Sequence, residues 1–132
     1  MTASVAIDTN VLVRFMANDD RAQADRVERF LHEQRQVYIP KTVLLEVEWV
    51  LRTAIYKRSP VVIAAALRQL TATANIEIED EDAVSLALDW YEGGMDFADA
   101  LHVASAGRER KFGTFDNALR RKLRGLGRFI EI

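Results

Sequence analysis

Carboxylates in this chain recur where apolar sequence gives way to polar sequence, and a hydrolytic or metal-binding site needs acids at such junctions. Asp8 follows the run Ser4-Val5-Ala6-Ile7 and opens the triplet Asp8-Thr9-Asn10, and Asp116 follows Phe112-Gly113-Thr114-Phe115. The first run reads as a buried strand, because a strand covered on both faces loses polar alternation. The second reads as a late strand. In a largely parallel sheet, ligands gather beyond the carboxyl ends of the strands. Both acids are therefore expected in that region, with Thr9, Asn10, Thr114 and Asn117 adding hydroxyl and amide groups beside them.

Glu46 sits inside an otherwise apolar run from Thr42 to Leu51, and its helical neighbours Val43, Val47 and Val50 are all valine. A carboxylate at the margin of such a face is costly unless its charge is compensated. Glu48 lies roughly 200° round the helix from it and reads as a solvated partner for Arg52 at i+4. Asp96 and Asp99 are three apart at a helix start and share a face. Each acid has a plainer role open to it: Asp at a helix N-terminus caps backbone N–H groups, and Asp96, Asp8 and Asp116 could each do only that. Jointly, converging carboxylates would repel one another unless a hard cation lay between them. All-oxygen donors suit Mg2+ or Mn2+ rather than zinc or copper. His102, at i+3 from Asp99, is open to an acid–base role or to packing and a backbone hydrogen bond.

The 132 residues fit one domain spanning 1–132, and 49% hydrophobic with 29% charged residues is an ordinary globular balance. No repeat, low-complexity tract, membrane-length apolar run or signal-peptide pattern stands in the sequence, so a cytoplasmic protein is expected. Cysteine is absent, which excludes disulfides, thiolate–zinc sites and cysteine nucleophiles. Net charge is −2, but residues 107–132 carry eight basic and three acidic side chains against ten and seventeen before them. Arg108, Arg110, Lys111, Arg120, Arg121, Lys122, Arg124 and Arg128 could form a phosphate-facing patch or simply be solvated.

The elements that must position these groups follow from periodicity. Val11, Leu12 and Phe15 recur at helical spacing after Asp8, and Asn18-Asp19-Asp20 breaks that helix and caps a second over 21–34 with Ala24, Val27, Phe30 and Leu31 inward. Val37-Tyr38-Ile39 predicts a second strand stopped by Pro40. Thr42 is expected to cap a long helix whose stripe is Val43, Val47, Val50 and Ala54, widened by Leu44, Leu51 and Ile55. Ser59-Pro60 starts a helix to about residue 73, and Ile76-Glu77-Ile78 is a third strand. A helix capped near Asp80 runs through Trp90 on a face of Ala83, Leu86, Ala87 and Trp90, and Gly93-Gly94 ends it. Helices from Asp96 to about Arg108 and from Asp116 to about Leu123 follow, with Phe129–Ile132 as an edge strand. Trp49 and Trp90 read as core or dimer surface. Strands alternating with helices argue for an α/β fold with a largely parallel sheet covered on both faces.

At Asp8-Thr9-Asn10, Thr42–Leu51 with Glu46, Asp96-Phe-Ala-Asp99-Ala-Leu-His102 and Thr114-Phe115-Asp116, the sequence resembles the PIN-domain nucleases. Among those it is similar to the VapC-type toxins of type II toxin–antitoxin pairs. The likeness runs over almost the whole chain, with the motifs in the family's order and spacing. It implies a three-layer α/β/α arrangement whose mostly parallel sheet has about four or five short strands. It also implies that Asp8, Glu46, Asp99 and Asp116 form an acidic quartet holding one or two Mg2+ or Mn2+ ions, Asp8 and Asp99 most directly. Thr9, Asn10 and Thr114 would orient the acids, and Asp96 would be a fifth acid at the rim or a cap. RNA as substrate, a VapB-like antitoxin and a homodimer are implied as well.

The activity so implied is hydrolysis of RNA phosphodiesters, in which an ion held by the acids lowers the pKa of a water and offsets developing charge. Glu46 would bind the ion or orient the water, and Arg14 and the basic tail could hold phosphates as positioning contacts. Two other readings stay open. One is a non-catalytic PIN-like protein-binding module whose acids cap helices. The other is a phosphoacceptor receiver, which wants a lysine at a late strand end, where this chain has Asp116 instead.

Overall fold

The computed structural model describes residues 4–53 and 55–132. Among them three strands, β1 (Ser4–Ala6), β2 (Gln36–Ile39) and β3 (Ile76–Ile78), pair in parallel in the order β1-β2-β3. Val5 stands opposite Val37, and Val37 opposite Ile76. Parallel neighbours need a crossover, supplied by α1 (Thr9–Ala17) with α2 (Arg21–Glu33), and then by α3 (Lys41–Arg52) with α4 (Pro60–Thr71). The chain continues through α5 (Glu81–Glu92), α6 (Phe97–Ser105) and α7 (Asn117–Gly125). It divides into two compact units, one ending at Glu81 and one spanning Asp82–Ile132.

In the first unit the centre is β2, whose Val37 and Ile39 are fully buried along with Leu12, Leu44, Val47, Leu51, Ile63 and Leu67. Local signals set most boundaries. Asn18 takes a left-handed conformation (φ 53°) that stops α1, and Asp20 then accepts the Gln23 N–H to start α2. Ser59 accepts the Val62 N–H ahead of Pro60 at the first position of α4. At α3 the cap differs from expectation. Pro40 holds the N-cap position without a side-chain bond, and Thr42 lies exposed in the first turn. Glu79, just after β3, reaches across to accept the Lys41 N–H at 2.8 Å. A distant carboxylate does what the local threonine was expected to do.

The buried stripe of α3 is also rotated from the valine stripe. Leu44, Val47, Glu48 and Leu51 face inward, Val43 and Val50 are partly exposed, and Ile55 beyond the helix is 82% exposed. Ala54 lies outside the described residues. The i, i+3, i+4, i+7 set built on two leucines buries more apolar surface than one built on valines, and it carries Glu48 in. Glu48 does pair with Arg52, at 2.7 Å, but at 2% exposure it is not solvated. Similar shifts occur on α2, where Ala24 and Leu31 are buried but Phe30 is exposed, and on α5, whose buried face is Ala83, Val84, Ala87, Leu88 and Tyr91, with Leu86 and Trp90 partly exposed. Trp49 is 58% exposed and so is not core.

In the second unit Gly94 (φ 103°) ends α5 by a Schellman arrangement: the Met95 N–H bonds Trp90 and the Gly94 N–H bonds Tyr91. Tyr91 then meets Phe97 of α6 edge to face at 5.1 Å. The expected strands over 112–115 and 129–132 reduce to one parallel bridge between Phe112 and Phe129. Glycine disfavours an extended segment, and the space beside Gly113 is filled by the Ile132 side chain.

Candidate active site

Each unit holds part of the predicted acid set, and the local structure explains each placement. In the first unit Asp8 falls just past β1 and becomes the N-cap of α1, with Oδ1 accepting the Val11 N–H at 3.1 Å. Thr9 begins the helix, and its hydroxyl donates to Glu46 of α3 in a short hydrogen bond. That contact brings Glu46 to the α1 start at the carboxyl end of β1. Glu46 is exposed, because the rotation of α3 carries it off the apolar stripe. Asn10 is exposed one residue further along.

In the second unit Asp96 caps α6 by accepting the Asp99 N–H at 3.0 Å, and Asp116 caps α7 by accepting the Leu119 N–H at 2.8 Å. Thr114 accepts the Asp116 N–H at 3.1 Å and so fixes the loop that presents this acid. Asp99 is half-buried in the first turn of α6. Burial pushes its carboxyl above the ordinary range, the charges of Asp96 and then Asp116 push it further, and His102 pulls it partly back. His102 is exposed on this same face rather than packed.

Asp8, Asp96 and Asp116 are thus true helix caps, and each cap uses a single oxygen. The other carboxylate oxygen of each has no hydrogen-bond partner among the described residues. Among those residues no group of three or more His, Asp or Glu side chains is gathered closely enough to hold an ion as it stands. The donor set still fits a hard divalent cation. It is all oxygen, and the crowding around Asp99 is a repulsion that a cation would relieve.

The basic tail is less free than its composition implied. Arg128 is 9% exposed, and its guanidinium donates to the carbonyls of Val103, Gly107 and Arg110. Arg120 and Arg124 lie over the Phe129 ring and pair with Glu131, and Arg110 donates to the Ala106 carbonyl. Arg108, Lys111, Arg121 and Lys122 remain exposed. Clustered like charges gave no sign that one of them would turn inward to cap a helix end.

A short parallel sheet with crossover helices and acids at element starts defines the class: an α/β protein with carboxylate-rich helix N-termini. The PIN domain family matches residues 5–123, and the chain belongs to that family. PIN domains are typically nucleases and generally bind divalent metal ions. No curated protein matches the chain. No helix among the described residues is long and apolar enough to cross a membrane.

Proposed function

We propose that this chain is a Mg2+- or Mn2+-dependent endoribonuclease of the VapC type, the toxin of a type II toxin–antitoxin pair. Asp8, Glu46, Asp99 and Asp116 act as its acidic quartet, within a single three-layer PIN domain. The observation that carries the reading is the setting of Asp99, whose ionised form is disfavoured first by burial and then by the charges of Asp96 and Asp116. The cap of α6 is already supplied by Asp96, so a second, half-buried acid in its first turn has no capping role to account for it. Family membership supports the extension of the set to Asp8 and Glu46.

In this reading Asp8 and Asp99 give the most direct ligation. A bound divalent ion supplies a water of lowered pKa and neutralises charge developing on the phosphoryl oxygens. Capping holds Asp8 and Asp116 in fixed orientations, so little side-chain freedom is lost when their second oxygens are engaged. The Thr9 hydroxyl aims Glu46, which ligates or holds the attacking water. Thr114 sets the Asp116 loop, Asn10 lies beside Asp8, and Asp96 stays at the rim. A VapB-like antitoxin, a homodimer and a cytoplasmic setting complete the proposal. Exposed Trp49, Val61 and Val62 offer apolar surface to a protein partner.

A second reading, a non-catalytic PIN-like protein-binding module, is favoured by the capping bonds of Asp8, Asp96 and Asp116. Cleavage of mixed cellular RNA with Mg2+ separates the two. Asp99→Asn is expected to lower the rate by roughly 100-fold or more, as for loss of a ligand. Equal cutting by parent and variant overturns the role given to Asp99. No cutting by the parent leaves the binding module.

A further inference from the structure

The α1 and α2 helices leave a groove of about 530 Å3 between them, within the roughly 300–1,000 Å3 typical of ligand sites. Its lining includes Asn10, Arg14, Gln23, Arg26, Val27 and Phe30, and no carboxylate is among the described residues that line it. We propose that this groove seats an unpaired stretch of the RNA substrate, an inference that rests on the nuclease reading above.

Charge comes first. Arg26 has no carboxylate partner among the described residues, and Arg14 meets Asp19 only at 3.8 Å, beyond hydrogen-bond length. Two guanidinium groups therefore face the groove with donors to spare, in a region of the chain that is acidic overall. The opposite face of α2 mixes Arg29 and His32 with Asp25, Glu28 and Glu33, whereas the charged groups among the described residues that line the groove are cations alone. Phosphates of a nucleic-acid backbone match that arrangement.

The rest of the lining favours RNA over an acidic peptide. Phe30 is 39% exposed while Leu31 beside it is buried, and its ring with Val27 offers a face on which a base stacks. Asn10 and Gln23 present amides that both donate and accept, as base edges require. The carboxylates of an acidic peptide only accept, so such a peptide would meet those acceptor oxygens through its backbone N–H groups alone. Asn10 is two residues from Asp8, so the groove starts where the first unit's acids stand. A base can reach Phe30 only if it is unstacked, so the proposal specifies single-stranded rather than duplex RNA.

The test is fluorescence anisotropy of the full chain with a labelled single-stranded RNA of about twelve nucleotides, in EDTA so that nothing is cut. Arg26→Ala and Arg14→Ala are each expected to weaken binding roughly fivefold or more and to reduce the slope of log affinity against log salt by about one. Phe30→Ala should weaken binding roughly fivefold with the slope unchanged. Arg29→Ala, on the other face of the same helix, should change neither. Arg26→Ala binding like the parent, or Arg29→Ala losing as much as Arg26→Ala, overturns the groove. A glutamate-rich peptide whose binding depends on Arg26 while RNA binding does not also overturns it, and assigns the groove to a protein. Cleavage with Mg2+ is read separately. A parent that cuts RNA while the groove variants bind and cut unchanged removes the groove and spares the nuclease reading. A parent that binds RNA through Arg26 yet cuts nothing keeps the groove and removes that reading.

Discussion

Asp8, Asp96 and Asp116 each give one carboxylate oxygen to the first turn of a helix, which makes capping and ligation compatible in a single side chain. Asp99 differs, since its acidity is set by burial and by its acidic neighbours. Its folded-state pKa is raised, so the native chain holds this proton more tightly than the unfolded chain does. The stability the group contributes is present while it is protonated, below the ordinary value of 3.8, and is lost as pH rises through the raised folded value. Asp99→Asn is therefore expected to stabilise the ion-free protein near neutral pH. That advantage should fade as pH falls below the ordinary aspartate range, and thermal unfolding across a pH series reads it. A variant with the same offset at every pH would show that burial and the neighbouring acids together leave this carboxyl unshifted. Thr9→Val tests the aiming of Glu46. Because the bond is exposed, stability should change by less than about 1 kcal/mol, while RNA cleavage falls about tenfold or more.

At the scale of elements, α6 depends on an arginine that the charge pattern assigned to a surface. The Gly127 turn (φ 69°) closes α7 and delivers Arg128 inward, where it satisfies carbonyls at and beyond the end of α6. Arg128→Met keeps the bulk and removes the donors, leaving buried carbonyls unpaired. The expected cost is about 2–3 kcal/mol, seen as a fall in the thermal midpoint of roughly 10 °C. Arg121→Met, exposed on α7, should cost under about 0.5 kcal/mol. Equal effects would mean that burial at position 128 carries no weight. The α3 helix makes the related point that a stripe is chosen by the surface it meets. Leu44 and Leu51 anchor it, and Glu48 enters with them because Arg52 is one turn away.

For the whole molecule, the quartet proposal predicts a response to ions that mutations in either unit abolish. Mg2+ or Mn2+ at about a hundred times its dissociation constant would add about 2.7 kcal/mol of stability, measurable as a rise in thermal midpoint that EDTA reverses. Asp8→Asn and Asp99→Asn should each remove most of that rise. A parent with no response to either ion would sink the metal assignment. The acidic balance of residues 1–106 against the basic tail would then have to be explained by protein partners alone.

The sequence by itself determined the order of the helices and of β1, β2 and β3, the start of a helix at Ser59 and after Asp20, and capping as one of the roles open to Asp8, Asp96 and Asp116. Those depend on local rules: apolar runs between breakers, short polar side chains ahead of helical periodicity, and glycine where φ turns positive. It also placed candidate acids at the starts of α1, α6 and α7. Tertiary structure decided which side of α3 is buried, that Glu79 rather than Thr42 caps it, that Arg128 is internal, and that 112–115 and 129–132 make one bridge instead of two strands. Each of those outcomes depends on which distant surface a side chain meets. A window of neighbouring residues carries periodicity but not the partner, so the helix was legible and its facing was not.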